Sequence, residues 1–295
     1  MASISTVSPV AAELAAELAF AHQLADLADS ISLPAFRATH HTVRTKPDHT
    51  PVTEADVAVE TALRARIAEQ RPNDAVLGEE GGGAATAGGR RWIIDPIDGT
   101  KNFMSGIPLY GTLIALEVDG QIQVAVVSAP ALQTRWWAAR GQGAYRRSAI
   151  DGVRRLHVNG VTRIEDGVLA WSGVGGVRHA AERRFHRLRV KFFLNRKVGN
   201  TWAHMLVAEG AAAVATGGHV SQWDTAAPSL IVEEAGGRMT DWNGEATSHS
   251  RTALSTNGVL HDQMVHALSS SWLQRHHGPG HSAVPAAPRP EAALA

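Results

Sequence analysis

The stretch Arg91 to Phe103, RWIIDPIDGTKNF, constrains the fold more than any other part of the chain. Trp92, Ile93 and Ile94 read as a buried strand, yet that strand ends in two carboxylates three residues apart, Asp95 and Asp98, with Pro96 between them and Gly99-Thr100 behind. Acids just past a buried strand sit where open α/β sheets form their binding crevices, and like charges that close repel unless something neutralises them. A divalent cation does so, and magnesium takes oxygen ligands: one or two carboxylates, water and substrate phosphate. Gly99-Thr100 offers a tight turn whose backbone N–H groups can hold an anion, particularly if a short helix starts there. By itself, Asp-x-x-Asp-Gly is more often a turn with a helix cap than a metal site, so the other segments decide.

The order of elements around this strand points to an α/β fold. Residues 11–29 are rich in helix formers, with Leu14, Leu18, Ala21 and Ala25 on one face and Phe20, Leu24 and Leu27 extending it. Thr53 and Asp56 have the spacing of a capping box and open a second helix that Pro72 stops. A short strand, Ala75 to Leu77, runs into Glu79-Glu80 and a glycine-rich loop. From Arg91 the pattern turns to strands, and Asp119-Gly120 is the strongest hairpin signal in the chain. The second half mixes strands with a helix expected from about Thr201 to Ala213 and another around AAPSLIVEEAGG, which Asp224 immediately precedes as an N-cap candidate. The expected organisation is a metal-binding lobe over residues 1–147, an α/β lobe over 148–268 carrying Asp224 and the substrate pocket, and a disordered Pro-, Ala- and His-rich tail over 269–295.

Composition narrows the partner. The 295 residues carry a formal net charge of zero, so the long-range attraction of basic proteins for nucleic acid or anionic membranes is missing, and a small molecule is the expected partner. With no cysteine, any metal must be held by oxygen or imidazole. The chain shows neither a basic-then-apolar leader nor an apolar run of the roughly 18 residues needed to span a bilayer, and the expected location is the cytoplasm.

Three segments together, GEE at 78–80, WIIDPIDGTKNF at 92–103 and WDTAAPSLIVEEAGG at 223–237, resemble the signature segments of the inositol monophosphatase family of magnesium-dependent phosphatases. The resemblance covers about residues 10–268. Within the family the likeness is greatest to bacterial, actinobacterial-type histidinol-phosphate phosphatases, through TKPDHTPVTEAD, SAPALQTRWWAARGQGAY and STNGVLHD. It implies an αβαβα sandwich of two lobes with the active site between them, and a phosphomonoesterase using two or three magnesium ions. Glu79, Asp95, the Ile97 carbonyl, Asp98 and Asp224 are then the metal ligands, with Asp56 near a further metal. Asp56, Thr100 and Glu79 are the implied catalytic set, Thr100 helping Asp56 to orient and deprotonate the attacking water. Gly99, Thr100, Gly199, Asn200 and Lys46 are the implied substrate contacts, with Lys101 a further candidate. A homodimer and lithium sensitivity are also implied.

The chain departs from the family in substrate recognition. The acid commonly found about seven residues before the WD aspartate is Gly217 here, and the acid that tends to follow the glycine at 199 in histidinol-phosphate phosphatases is Asn200. Histidinol phosphate is the first expectation, and an inositol, sugar or nucleoside monophosphate is the alternative. Trp202 is either a core side chain or a stacking surface for a base or imidazole. The motif DPIDGT differs from the Asp-x-Asp-Gly-Thr of haloacid-dehalogenase-type phosphatases because its acids are three apart. The basic run Arg183 to Lys191 reads as a solvated segment or a subunit contact rather than a nucleic-acid site. His40-His41 and His276-His277 have no ligand partners at telling spacings.

Overall fold

The computed structural model describes residues 9–38, 42–45, 51–83, 89–174, 177, 179–246 and 250–269, and leaves the side chains of residues 9–11 and 200 undescribed. Lys46, the pairs His40-His41 and His276-His277, positions 84–88 of the glycine-rich loop and all of the expected tail but Ser269 lie outside the described residues.

The chain opens with helix α1 (Pro9–Phe36), followed by β1 (Val43–Thr45) and β2 (Pro51–Thr53), which pair antiparallel, and by helix α2 (Glu54–Gln70). Helix α1 runs well past the expected residue 29. Its extra turns are held by packing, since Ser32 is buried and Ile31 packs against the cluster formed by Phe20, Leu24 and Ala28. Burial overrides the local stop signals of Ser30, Ser32 and Pro34. The expected capping box is present at α2, with Thr53 as N-cap and Asp56 three residues on.

A seven-stranded sheet follows: β3 (Ala75–Gly78), then β4 (Arg90–Asp98), the short helix α3 (Thr100–Met104), β5 (Gly111–Val118), β6 (Gln121–Ala129), β7 (Thr134–Ala139), β8 (Ala144–Ser148) and β9 (Gly152–Arg155). The strands lie side by side in sequence order, all antiparallel except the β3–β4 pair. Asp119 and Gly120, with φ of 50° and 79°, make the expected turn between β5 and β6. This sheet continues to Arg155, eight residues past position 147.

The rest of the chain is β10 (Val168–Trp171), α4 (His179–Arg189), β11 (Leu194–Lys197), α5 (Asn200–Ala208), β12 (Val214–Gly218), α6 (Gln222–Glu234), β13 (Arg238–Thr240), β14 (Thr252–Thr256) and α7 (His261–Leu268). Its strands form a second sheet of order β11-β10-β12-β14-β13, parallel around β10 and antiparallel around β14. Helix α5 ends five residues before the expected Ala213. Gly210, at φ 75°, stops it in the left-handed conformation, and the N–H groups of Ala211 and Ala212 return to the Leu206 carbonyl. At this end Glu209 accepts hydrogen bonds from Trp136 Nε1 at 2.6 Å, Arg146 at 2.7 Å and Arg154 at 3.0 Å, which fixes the end of α5 to β7, β8 and β9.

The layers can be read from side-chain parity, because successive residues of a strand face opposite sides. Trp92, Ile94, Ile114, Leu116, Val124 and Val126 face α1 and α2, whereas Ile93, Leu113, Ala115, Ala125 and Val127 face α5 and α6. In the second sheet Ala170, Ala215 and Ala253 join that middle layer, and Leu169, Val214 and Leu254 turn to the outer side with Phe185 of α4 and Met264 of α7. The result is the expected αβαβα sandwich. Both sheets are covered on both faces, which is why β4 shows no polar alternation. No helix among the described residues is long and apolar enough to cross a membrane.

Three histidines are folded into these layers uncharged. Burial pushes His22, His204 and His261 down to about 4, with Arg135 adding to the effect at His22 and Arg238 at His261. Both ring nitrogens of His261 share hydrogen bonds with hydroxyls, Thr240 and Thr256, at 3.0 Å each. The unfolded chain takes up these protons near pH 6.5 and the folded chain only near 4, so the stability that the histidines contribute is complete above about 6.5 and is lost as pH falls through this window. Urea midpoints measured from pH 7 to 4 should therefore carry a falling histidine component. Replacement of His261 by asparagine should make the slope shallower by up to one proton, about 1.4 kcal/mol per pH unit. An unchanged slope would show that His261 does not gain its proton on unfolding.

Candidate active site

In a regular strand, residues three apart point to opposite faces, so Asp95 and Asp98 should diverge. They do not, because β4 carries a bulge. Asp95 pairs with Leu113 and Asp98 with Gly111, which sets three steps on β4 against two on β5. Pro96 lies within the irregularity, where its missing N–H breaks no ladder bond, and its carbonyl accepts the Thr112 hydroxyl at 2.8 Å. The two carboxylates thereby meet a third, and ligand oxygens of Asp95, Asp98 and Asp224 all lie within 4.8 Å of one another.

Three of the acids are held by backbone N–H groups. Asp98 Oδ2 accepts the N–H of Thr201 at 2.8 Å, so the start of α5 fixes it. Asp224 Oδ2 accepts the N–H of Ser221 at 2.6 Å, closing a capping box at the start of α6. The expectation that Asp224 stands before this helix is corrected: Ser221 is the N-cap and Asp224 is the third helical residue. Asp56 uses its Oδ2 in the same way, accepting Thr53 N–H at 2.8 Å and Thr53 Oγ1 at 2.5 Å. Its Oδ1 faces Thr100, whose Oγ1 lies 3.3 Å from it and 3.2 Å from the Ile97 carbonyl. Capping and site geometry are thus two uses of one side chain.

The acids open into a cleft of about 260 Å³. Glu79, Asp95, Ile97, Asp98, Gly99, Thr100, Lys101 and Asp224 line it, while Asp56 stands behind Thr100. Gly199 is not among the described lining residues; it lies beside Asn102 at the start of α5. Asn200 begins that helix, with its side chain outside the described set, and Lys46 is also outside it. Trp202 packs edge-on against Trp136 with centroids 5.0 Å apart, as a core side chain does.

Among the lining residues that sequence reasoning did not single out are His204, Ser172 and His219. His204 lies one turn after Asn200 on α5, and Ser172 is the first residue beyond β10, positions that periodicity and the strand-end rule can flag. Both meet the cleft through tertiary structure. The His204 Nδ1 shares a 2.7 Å hydrogen bond with Ser255, and the ring stays neutral. A Cβ at Gly217 would come within 2.1 Å of the Ser172 hydroxyl, so that hydroxyl stands where a side chain at 217 would start.

Electrostatics show what the acids require. Asp95 is held well above the usual carboxylate range, first by burial and then by the charges of Glu79, Asp98, Asp224 and Asp56. Its Oδ1 is buried without a hydrogen-bond partner. An orphaned carboxylate oxygen among acids, with no sulfur ligand present, fits a hard divalent cation. Asp95, Asp98 and Asp224, with Glu79 on the same cleft, could hold it.

Comparison with known proteins agrees with this chemistry. The model of the inositol monophosphatase family matches residues 13–273. A histidinol-phosphatase from Mycobacterium tuberculosis is 47% identical over 257 residues, 86% of this chain and 98% of that protein. A second histidinol-phosphatase, from Streptomyces coelicolor, is 42% identical over 261 residues, 87% of this chain and 98% of its own length. Among solved structures, the extragenic suppressor protein suhB from Bartonella henselae superposes with a TM-score of 0.78 at 28% identity, covering 86% of this chain and 99% of that one.

The repulsion at Asp95 predicts a gain of stability on its removal. The folded protein keeps the Asp95 proton to higher pH than the unfolded chain, whose group titrates near 3.8, so stability present below that pH is lost as pH rises. At pH 7.5 in EDTA, Asp95→Asn should raise Tm, by about 2–4 °C for each kcal/mol of repulsion relieved. The same variant should lose most of the thermal stabilisation that magnesium gives the wild type. A lower Tm in EDTA would show that the acids do not strain the metal-free fold.

Proposed function

Because this chain belongs to the inositol monophosphatase family, whose members are metal-dependent phosphomonoesterases, we propose that it hydrolyses histidinol phosphate with magnesium as its metal. The observation that carries the phosphatase reading is the convergence of Asp95, Asp98 and Asp224 around a buried, unpartnered carboxylate oxygen at the floor of a cleft. Support for the substrate comes from the two histidinol-phosphatases that match nearly end to end.

In this reading Glu79, Asp95, the Ile97 carbonyl, Asp98 and Asp224 hold two or three magnesium ions, with Asp56 near a further one. Bound there, such ions neutralise the acids, acidify water and offset the charge that develops on phosphate and leaving oxygen. The chain's own groups do the rest. Thr100 Oγ1 accepts a hydrogen bond from the attacking water while donating its own to Asp56 Oδ1, which turns the water's lone pair toward phosphorus and gives its proton a path to a carboxylate. Water attacks phosphorus, the P–O bond to the alcohol breaks, and the alcohol leaves with a proton from solvent. The N–H groups of Gly99 and Thr100 hold the phosphate, and the segment at Gly199 and Asn200, with Lys46, contacts the substrate. A homodimeric assembly and a place in histidine synthesis belong to the same proposal and rest on family likeness, and a cytoplasmic location belongs to it as an expectation from the sequence.

One observation favours a second reading. The wall at Ser172, Gly173 and Gly218 is uncharged, as is His204, so that part of the cleft suits a neutral polyol such as inositol or a sugar at least as well as an ammonium. Phosphate release with magnesium should be compared across histidinol phosphate, inositol 1-phosphate, sugar phosphates and nucleoside monophosphates. The expected result is a preference for histidinol phosphate on the order of a hundredfold in kcat/KM, about 2.7 kcal/mol. Activity should vanish in EDTA and in Asp98→Asn. A stronger preference for a polyol phosphate would select the second reading, and full turnover in EDTA would overturn both.

A further inference from the structure

Asp56 and Glu79 reach the site from different elements, the first turn of α2 and the loop after β3. One ion pair joins them. Glu60, one turn beyond Asp56 on α2, is only 2% exposed. Its Oε2 accepts the N–H of Glu80 at 2.7 Å, and its Oε1 accepts the N–H of Gly81 at 2.8 Å and Arg64 Nε at 2.7 Å. Arg64, one turn further on, donates from Nη2 to the Gly82 carbonyl at 2.5 Å and reaches the Val76 carbonyl from Nη1 at 3.5 Å. The pair therefore grips the chain on both sides of Glu79, which is itself pinned by the 3.0 Å bond from Gly78 N–H to the Gly82 carbonyl.

The grip is close. A Cβ at Gly78 would sit 2.3 Å from Glu60 Oε1, and one at Gly81 2.8 Å from the same atom, so bare backbone at both positions lets the carboxylate lie against the loop. A buried carboxylate is tolerated only when its oxygens are satisfied, and Glu60 meets that condition by binding the loop. Asp56, Glu60 and Arg64 are spaced four residues apart on one helix face, so α2 acts as a ruler: its first turn carries Asp56 and its next two hold Glu79 at a set distance.

We propose that Glu60 and Arg64 are positioning residues that register Glu79 against Asp56 and thereby set the affinity of the site for its divalent cation. The proposal rests on the metal-dependent reading of the site and adds two residues that touch neither cation nor substrate. Outer groups that orient metal ligands typically change affinity by about 10- to 100-fold when removed.

Calorimetric titration of the metal-free protein with Mg²⁺ alone tests this, beside Tm in EDTA and kcat at saturating magnesium. Glu60→Gln keeps the size of the side chain but loses its charge and one acceptor. It should weaken Mg²⁺ binding about tenfold and leave kcat at saturating magnesium within about twofold. Arg64→Lys keeps the charge and the Glu60–loop bonds while losing the grip on the carbonyls, and should weaken binding by a smaller factor; it serves if Glu60→Gln does not fold. A lower Tm in EDTA with unchanged Mg²⁺ affinity in both variants would make the pair merely structural and overturn the proposal. A wild type that binds no Mg²⁺ would overturn the metal-dependent reading with it, whereas normal wild-type binding with unaltered variants would overturn this proposal alone.

Discussion

Repulsion between carboxylates in a buried corner is the condition that the rest of the molecule is arranged to withstand. Asp95 is wholly buried, has an oxygen without a partner and feels four other acids. The neighbouring elements hold the acids together against that repulsion. The bulge in β4 aims two of them, the start of α5 ties Asp98 down, and the Glu60–Arg64 pair closes the loop that carries Glu79. Rigid surroundings are what preserve a site whose members would otherwise drift apart until a cation joined them.

Helix beginnings supply two of the acids, and for a physical reason. The first turn of a helix has unsatisfied N–H groups and a partial positive charge, so a carboxylate placed there is both bonded and electrostatically favoured. A carboxylate has two oxygens, and the capping box occupies one. In Asp56 and Asp224 the Oδ2 atom closes the box. A cap and a site acid are therefore not competing explanations of one residue; the cap is how the acid is oriented.

Much of this was readable in the sequence. The apolar run ending in Asp95 and Asp98, the capping box at Thr53 and Asp56, the Asp119-Gly120 turn and the strand before Glu79 all follow from local chemistry, and local chemistry acts over a few residues. The sense of the three-residue spacing was not readable, because whether Asp95 and Asp98 converge depends on a bulge set by pairing with β5. His204 and Ser172 stand at positions that periodicity and the end of a strand can flag, but that they face this cleft is set by tertiary packing. The end of α5 was within reach, since Gly210 is a stop signal that the alanines after it masked. The added length of α1 was not, because burial of Ser32 overrides what Ser and Pro suggest locally. The Glu60–Arg64 pair was not readable either, because its partners are backbone groups that no sequence pattern displays.

Helix α5 is fixed at both ends to the first sheet, its opening N–H at Thr201 to Asp98 and its closing residue Glu209 to Trp136, Arg146 and Arg154. By chain order it belongs with the later strands, yet mechanically it is bolted to the earlier ones. The layers are therefore not detachable modules. A fragment beginning after Arg155 would carry a helix stripped of both fixtures and a middle layer with one face bare, and a fragment ending there would keep Asp98 without the backbone that steadies it. Gene fission at this connection, or a swap of the later half between relatives, would succeed only where the two ends of α5 still met the same partners.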